Sequence, residues 1–304
     1  MALTPTFPGV FLDEQTGSVS AIDGVATSIV AFVGFTAQGA PNSAVQVRSF
    51  SDYQRTFGTL AEGGDLGYAV LSFFENGGAD AYVVRVAPDV TGNSARPGTQ
   101  ELIAALSALD NVEFNLLSIP DATRTKLDDP QALDDNIDAV AIFTAALDYC
   151  TKRRAFLLVD PPPSALTASD MQVWRTGEFQ ITGANGALHF PRIEVADPAR
   201  AGQSRIIPPS GTIAGIYART DASRGVWKAP AGTEAKLAGV VTLPVHLDDE
   251  ESGALNRLGV NCIRSFSTRG ILNFGARTLA GADSEASEWK YVPVRRLALY
   301  IEAS

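Results

Sequence analysis

The feature that most constrains the fold of this chain is an alternation of helix-like and strand-like segments between residues 101 and 160. The predicted order is helix 101–109, strand 114–119, helix 134–151 and strand 155–160. Such alternation is typical of a sheet of parallel strands that is covered by helices. Three prolines at 161–163 then end the pattern, because proline can neither continue a helix nor donate a backbone hydrogen bond within a sheet.

Short runs of β-branched and aromatic residues also lie on both sides of this layer. The run TSIVAFVGF, at 27–35, is too short for a typical helix and predicts a buried strand. Further strands are predicted at 45–48, 81–86 and 240–245, as two strands within 191–209, and as a hairpin of 260–266 with 271–278. Further helices are predicted at 65–76 and 248–258, from near Ser169 and Val294 onwards, and after Ser51 and Ser210, each of which is the predicted N-cap. In the helix after Ser210, the small residues Gly211, Ala214, Gly215 and Ala218 predict close packing against another element. Together these segments predict a mixed α/β (α+β) fold.

Composition suggests how the chain is divided. Residues 1–24 contain two prolines and three glycines among β-forming residues, which suits an extended arm better than a packed helix. The polar segment Asp89–Gly98 is a plausible boundary between two parts of the chain. We therefore predict an extended N-terminal arm at 1–24, a core domain with a mixed sheet at 25–88 and 191–304, and a more variable α/β domain inserted at 89–190.

Charge and composition exclude several classes of protein. The chain has 304 residues, a net charge of −10 and a pI near 4.7, whereas nucleic-acid binding needs a concentrated basic surface. No apolar run is long enough to span a bilayer, and the first residues do not form a secretory signal. Cys150 and Cys262 match no metal or redox spacing. We expect neither nucleic acid nor direct membrane insertion.

No motif supports catalysis. His246 precedes the four acidic residues Asp248–Glu251, which invites a metal or acid–base interpretation. Asp248 and Glu251 have the spacing of a helix capping box, which explains these acids better, and no second histidine or cysteine lies at ligand spacing. The sequence contains neither GxxxxGK[ST] nor GxSxG. We predict no catalytic residue, no cofactor and no metal.

Several segments resemble the contractile tail sheath family, and they follow the order that the family has. Near the start, PGVFLDE is similar to the N-terminal arm of the family, and GVATSIVAFVGF is similar to its first strand. The block VADPARAGQSRIIPPSGTIAGIYARTDASRGVWKAPAG and the later RGILNFGART and WKYVPVRRLALYIE are similar to its most recognisable parts. The resemblance covers roughly 200 residues, whereas the region 91–186 matches only loosely.

The resemblance implies a structural subunit that polymerises helically, in six-fold rings, around an inner tube protein. Baseplate and terminator proteins are the further partners that it implies, with assembly in the bacterial cytoplasm as part of a phage tail or tail-like particle. In the family, terminal arms add strands to neighbouring subunits, so β-strand addition is the expected mode of contact. The residues that match the arm are Pro8, Gly9, Val10, Phe11 and Leu12. The accepting edge is expected on the hairpin at 260–278.

Five arginines are candidates for contact with a neighbouring subunit or the tube. Arg295 and Arg296 open the last helix, where the helix dipole disfavours cations. They form either a solvated helix face or bidentate pairs with carboxylates of a partner, which the guanidinium group suits. Arg264, Arg269 and Arg277 on the hairpin are candidates for the same role.

The last helix also bears on the extent of the chain. Val294, Leu297, Ala298 and Ile301 keep helical spacing and predict an apolar face of a core helix. No glycine or proline ends this helix before Ser304, and the family continues with the rest of the helix and a C-terminal arm. We therefore expect a truncated sheath subunit.

Two alternatives to a main sheath subunit remain. The first is a specialised sheath paralogue at the baseplate or terminator end. The second, more remote, is an α/β enzyme centred on 114–163, in which Asp121, Asp160 and His189 would be the residues to test.

Overall fold

The computed structural model describes residues 25–61, 63–88 and 96–304. In this part of the chain, helices cover both faces of a large sheet, and a small sheet lies beside one helix layer. The strands are β1 Val30–Gly34, β2 Ala44–Val47, β3 Ala81–Arg85, β4 Leu116–Ser118, β5 Phe156–Val159, β6 Gly186–Phe190, β7 Ile193–Ala196, β8 Ser204–Ile207, β9 Val240–Thr242, β10 Val260–Phe266 and β11 Gly270–Asn273. The α-helices are α1 Phe50–Phe57, α2 Leu66–Glu75, α3 Thr99–Ala104, α4 Ala139–Arg153, α5 Ala168–Thr176, α6 Ser210–Arg224, α7 Asp249–Arg257 and α8 Val292–Ala303.

The large sheet has eight strands in the order β11-β10-β6-β5-β4-β1-β3-β2 within the described residues. The six inner strands run parallel, and the two edge strands, β11 and β2, are antiparallel to their neighbours. Strand β1 is buried at every position, as expected for a strand covered on both faces. The predicted parallel α/β layer and the mixed α/β class are confirmed.

One apolar core lies between the sheet and a first helix layer, formed by α3, α4, α5 and α7. Side chains such as Phe143 of α4 and Trp174 of α5 lie in this core together with Leu157 and Leu188 of the sheet. Burial of these large side chains contributes about 1.5–3 kcal/mol each. The first helix layer is thus fixed to one face of the sheet.

A second core lies on the opposite face, between the sheet and a second layer formed by α1, α2, α6 and α8. The small sheet, in the order β8-β7-β9, packs on this side as well. Its strands β7 and β8 are antiparallel and correspond to the two strands predicted around the DPARAG turn. The molecule therefore has helices on both sides of one central sheet.

Helices α2 and α6 approach closely because small residues line their contact. A Cβ atom on Gly211 would lie 2.3 Å from the carbonyl oxygen of Ala69, and one on Gly215 would lie 2.6 Å from that of Phe73. Glycine is the residue that permits such approach of backbones. The sequence-based expectation that this face of α6 receives a closely packed partner is confirmed, and the partner is α2.

Helix capping agrees with the sequence at α7 and differs at α1. Asp248 and Glu251 form the predicted capping box, with both reciprocal hydrogen bonds present. The prediction that Ser51 caps α1 is wrong, because Ser49 occupies that position and its hydroxyl accepts from the Asp52 N–H at 3.1 Å. Ser49 and Ser51 are both candidate N-cap residues in the sequence. The backbone of Ser49 is extended, as is typical of an N-cap residue, and this distinguishes it from Ser51.

Residues 25–88, 89–190 and 191–304 all contribute strands to the large sheet. Strand β1 pairs with β4, and β6 pairs with β10, so backbone hydrogen bonds cross both predicted boundaries. The assignment of 25–88 and 191–304 to an inner domain and of 89–190 to an outer domain concerns an assembly and stays a prediction. The predicted arm at 1–24, with Pro8 to Leu12, lies outside the described residues.

Candidate subunit interface

A cluster of buried charged side chains lies at the carboxyl ends of the parallel strands. Asp121 follows β4, Asp160 follows β5 and Arg192 follows β6, and all three are buried. Open α/β sheets commonly bind their ligands at this edge. The contacts of the cluster therefore decide whether it can act as a reactive site or only as a structural one.

Asp121 connects two neighbouring segments to β4. Its carboxylate accepts the backbone N–H of Phe35 at 2.5 Å and that of Asp65 at 2.8 Å. Burial, together with the nearby Asp65 carboxylate, raises the pKa of Asp121 to about 6. Its two backbone donors lie just after β1 and just before α2, so the carboxylate fastens both segments to β4.

Asp160 fastens the start of α6 in the same way. Its carboxylate accepts the backbone N–H of Ser210 at 2.8 Å and the Ser210 hydroxyl at 2.6 Å. The Ser210 hydroxyl also lies 2.8 Å from that of Ser118 on β4. Burial raises the pKa of Asp160 to about 7. Ser210 was predicted as the N-cap of α6, and this is wrong: Pro209 is the N-cap, and the Ser210 hydroxyl serves Asp160.

Ion pairs attach the small sheet to α2. Asp65, the N-cap of α2, receives Arg205 of β8 at 2.7 Å and Arg192 at 3.5 Å. The guanidinium of Arg205 also lies over the Tyr68 ring, and the Tyr68 hydroxyl donates to Asp197 at 2.8 Å. These buried groups join two layers of the fold by matched charges and hydrogen bonds.

The third residue of the enzyme alternative, His189, lies on β6. Burial lowers the pKa of its imidazole to about 3, so the ring is neutral. It meets the Tyr217 ring edge to face, with 6.0 Å between the centroids. Asp121, Asp160 and His189 therefore follow or lie on three different strands, each closed to solvent. In the ranges that the structure describes, no cluster of three or more histidine, cysteine or acidic residues could hold a metal ion.

Among the five candidate arginines, Arg296 is buried and paired within the chain. Its guanidinium makes two hydrogen bonds to the Asp221 carboxylate, at 2.9 and 2.6 Å, and donates to the Thr27 carbonyl at 2.8 Å. The ring of Tyr217 lies beneath it. The bidentate pairing that the sequence suggested is present, but its partner is α6 of the same chain.

Three further arginines also have partners within the chain. Arg295 stacks on Trp289 and donates to Asn185 at 2.9 Å. Arg264 pairs with the exposed Asp249 at 2.8 Å, and Arg277 pairs with Asp283 at 2.6 Å. These contacts lie partly at the surface, and an intermolecular role for the three side chains stays a prediction.

Arg269 differs from the other four. It lies in the exposed turn between β10 and β11, and its side chain makes no hydrogen bond or ion pair with the described part of the chain. The structure thus leaves Arg269 as the candidate with the most freedom to reach a partner.

The hairpin predicted to accept a neighbouring arm is present, with β11 at the edge of the large sheet. A segment of the same chain already covers this edge. The Leu237 N–H donates to the Ile271 carbonyl at 2.9 Å, and the Asn273 N–H donates to the Ala235 carbonyl at 3.0 Å. Much of the hydrogen-bonding capacity of β11 is therefore used within the chain.

Helix α8 presents an apolar stripe at the surface. Val294 and Ile301 are 46% and 62% exposed, whereas Val292 and Leu299 are buried against the second core. The prediction that the Val294-to-Ile301 face packs in the core is wrong, because the helix turns the adjacent face inwards. Tertiary packing, rather than helical spacing alone, selects the buried face.

The fold agrees with comparisons to known proteins. The model of the phage tail sheath protein central domain matches residues 95–279. The chain belongs to the phage tail sheath family. It is 26% identical over 260 residues to the tail sheath protein of Vibrio phage KVP40, covering 74% of this chain. It is 30% identical over 166 residues to a putative prophage major tail sheath protein of Pseudomonas aeruginosa, covering 54% of this chain.

The chain spans 36% and 40% of the lengths of these two relatives. Solved sheath structures match nearly all of it. The sheath complex of an extracellular contractile injection system (PVC) in the contracted state is 28% identical, with a TM-score of 0.69, covering 99% of this chain and 73% of that one. The contracted helical sheath of the anti-feeding prophage is 29% identical, with a TM-score of 0.65, covering 98% and 74%.

A further surface property escapes the sequence analysis. Arg219, Arg224, Lys228 and Lys236 lie together around the end of α6, although they are spread over 18 positions of an acidic chain. The intervals between them are five, four and eight positions, so the sequence offers no periodic signal that would have found them. None of the helices in the described part of the chain has both the length and the apolar composition needed to cross a bilayer.

Proposed function

We propose that this chain is the structural subunit of a contractile sheath. Copies polymerise helically around an inner tube, and contraction of the sleeve drives the tube through a target envelope. The observation that carries the proposal is the family match over residues 95–279, together with contracted sheath structures that cover almost the whole chain. The burial of Asp121, Asp160 and His189 supports a non-enzymatic role, and the two carboxylates hold neighbouring segments of the fold together.

The physical basis of such a device is a difference in free energy between two lattices. Contraction moves whole subunits across bistable interfaces, so no chemical step is required if the contracted lattice is more stable. A gain on the order of a few kcal/mol for each subunit sums to hundreds over a sleeve. The large central sheet with helices on both faces suits this task, because it can move as one body.

The partners follow from the same proposal. The inner tube, the baseplate and the terminator are the proteins that a sleeve must contact, and the particle would assemble in the bacterial cytoplasm. The arm residues Pro8, Gly9, Val10, Phe11 and Leu12 would add a strand to a neighbour. If the neighbour accepts this strand at β11, the arm must displace the 232–237 segment or pair beyond it.

Electron microscopy of particles that contain the labelled subunit tests the proposal. We expect label along the whole length of a sleeve, and sleeves of two lengths when the chain is expressed with its tube protein. Sleeves that form normally without any label would contradict the proposal.

A second candidate is a sheath paralogue positioned at the baseplate. It is favoured by the match to the anti-feeding prophage baseplate, which is 28% identical with a TM-score of 0.66 and covers 98% of this chain. In the same experiment this candidate predicts label at one end of the particle only. The distribution of the label therefore separates the two.

A further inference from the structure

We propose that a basic groove at the end of α6 receives the acidic start of α7 from a second copy of this chain. The basic groove is lined by Arg219, Arg224, Lys228 and Glu234 together with small residues between them, and has a volume of about 390 Å³. The proposal rests on the sheath function proposed above, because it concerns how copies pack in an assembly. It adds a defined pair of surfaces to that function.

The basic groove carries an excess of positive charge. Arg224 and Lys228 share one carboxylate, Glu234, at 2.5 and 3.7 Å. Arg219 donates to the backbone carbonyls of Asn76 and Lys236, at 3.0 and 2.8 Å, and pairs with no carboxylate of the described residues. Three cations therefore line the groove with a single acid, Glu234, in a chain whose net charge is −10. The dipole of α6 favours a cation at its last turn, which accounts for Arg224 but not for the others.

The hairpin extends this basic surface. A Cβ atom on Gly270 would lie 3.2 Å from Cε of Lys236, so the β10–β11 turn lies beside the groove. The neighbouring Arg269 is exposed in this turn. A partner that enters the groove therefore meets a further cation at its rim.

The matching acidic surface is the start of α7. Asp248, Asp249 and Glu250 are exposed, and Glu251 is partly exposed. Asp248 and Glu251 cap the helix, and Asp249 lies 2.8 Å from Arg264. Glu250 makes no ion pair with the described residues, so its charge is free to face a partner. Opposite charges on two surfaces favour their encounter and fix their register.

One copy cannot bring these two surfaces together. Helix α7 belongs to the first helix layer and α6 to the second, so the central sheet separates them. The contact must therefore join one copy to the next. A contact between two different surfaces is head-to-tail, and repeating it produces an open helical array when the rotation does not close. This geometry is the one that a sleeve requires.

Chemical cross-linking of a mixed population tests the contact directly. Equal amounts of unlabelled and heavy-isotope-labelled chain are combined, and a carbodiimide then joins lysine amines to carboxylates in direct contact. We expect mixed-isotope peptides that link Lys228 to Asp249 or Glu250, both in concentrated protein and in particles. Lys152 is exposed on α4 in the first helix layer, and it provides the background level of linkage.

A charge exchange tests whether the contact stabilises the assembly. Lys228→Glu and Glu250→Lys are each expected to weaken association about tenfold, which corresponds to about 1.4 kcal/mol, and the double variant is expected to restore it. The matched control Lys152→Glu should leave association unchanged. Circular dichroism confirms that each variant is folded.

The outcomes separate this contact from the sheath function. Sleeves that assemble without the mixed-isotope links, or a double variant no better than the singles, would overturn the contact and leave the sheath function standing. Links from Lys228 only to another protein would assign the groove to that partner and also overturn the contact. Links in concentrated protein combined with failure to enter any sleeve would support the contact and contradict the sheath function.

Discussion

At the scale of single residues, Asp160 is the clearest source of pH dependence. Burial raises the pKa of Asp160 from an ordinary 3.8 to about 7, so the folded chain binds a proton that the unfolded chain releases above about pH 4. The stability that this proton contributes is complete below the unfolded pKa and is lost as the pH rises through the folded pKa. We therefore expect the free energy of unfolding to fall between pH 5 and pH 8.

The variant Asp160→Asn isolates this effect, because a neutral amide keeps a carbonyl oxygen for the Ser210 N–H. Urea unfolding at pH 5, 6, 7 and 8 should show a pH dependence that is flatter than the wild type by roughly 2 kcal/mol over this range. Equal pH dependence in both proteins would contradict the assignment. Asp135→Asn at the surface is the matched control and should leave the pH dependence unchanged.

The buried pair of Arg296 and Asp221 gives a second prediction at this scale. Arg296→Met leaves the Asp221 carboxylate buried without its partner, and we expect a loss of about 3–5 kcal/mol in the free energy of unfolding. Arg269→Met, at the exposed turn, should change it by no more than about 0.5 kcal/mol. Urea denaturation measures both, and equal effects would show that Arg296 does not have the described role.

These arginines also show what sequence can provide at the residue scale. The sequence indicates that Arg296 suits bidentate pairing with a carboxylate, but it cannot identify Asp221, which lies 75 positions earlier. The partner is fixed only when α6 and α8 pack on the same side of the sheet. The capping role of Asp248 and Glu251 could be predicted from the sequence, because both partners of a capping box lie within one helical turn.

At the scale of elements, we expect opposite effects of substitution at two glycines, one in the close contact of α2 with α6 and one on the open face of α7. Gly211→Val would force side-chain atoms into the backbone of Ala69, and we expect a loss of at least about 3 kcal/mol. Gly253→Ala in α7 meets nothing within 4 Å, and it should stabilise by roughly 0.5–1 kcal/mol because alanine favours helix.

Thermal unfolding of the two glycine variants beside the wild type measures this difference. A lower melting temperature for Gly211→Val and a higher one for Gly253→Ala are expected. A tolerated valine at 211 would mean that α2 and α6 are further apart than described.

Most strands and helices were predictable from local patterns, and the main omission is informative. Strand β6, with the sequence GALHF, was not predicted, because it contains glycine, alanine and histidine instead of a β-branched run. Its conformation depends on pairing with β5 and β10, which lie 27 or more positions away. Apart from β10, the described strands have only 3 to 5 residues, so such reliance on neighbours is common in this chain.

At the scale of the whole molecule, the described residues form one body around a continuous sheet. The sheet joins residues from both sides of the predicted linker, so a force applied to the hairpin is carried by backbone hydrogen bonds to β1 and β3. Sequence predicted the α/β class from its alternation of elements. It could not predict the strand order or the basic groove, because both arise from long-range packing.

The most direct test of the sheath function is helical reconstruction by cryo-electron microscopy of particles assembled with this chain and its tube protein. We expect a hollow sleeve with six-fold symmetry, as in the related baseplate structure, with this fold at every subunit position along its length. Tubes that carry no sleeve, or particles in which this fold occupies only a terminal ring, would contradict a main sheath subunit.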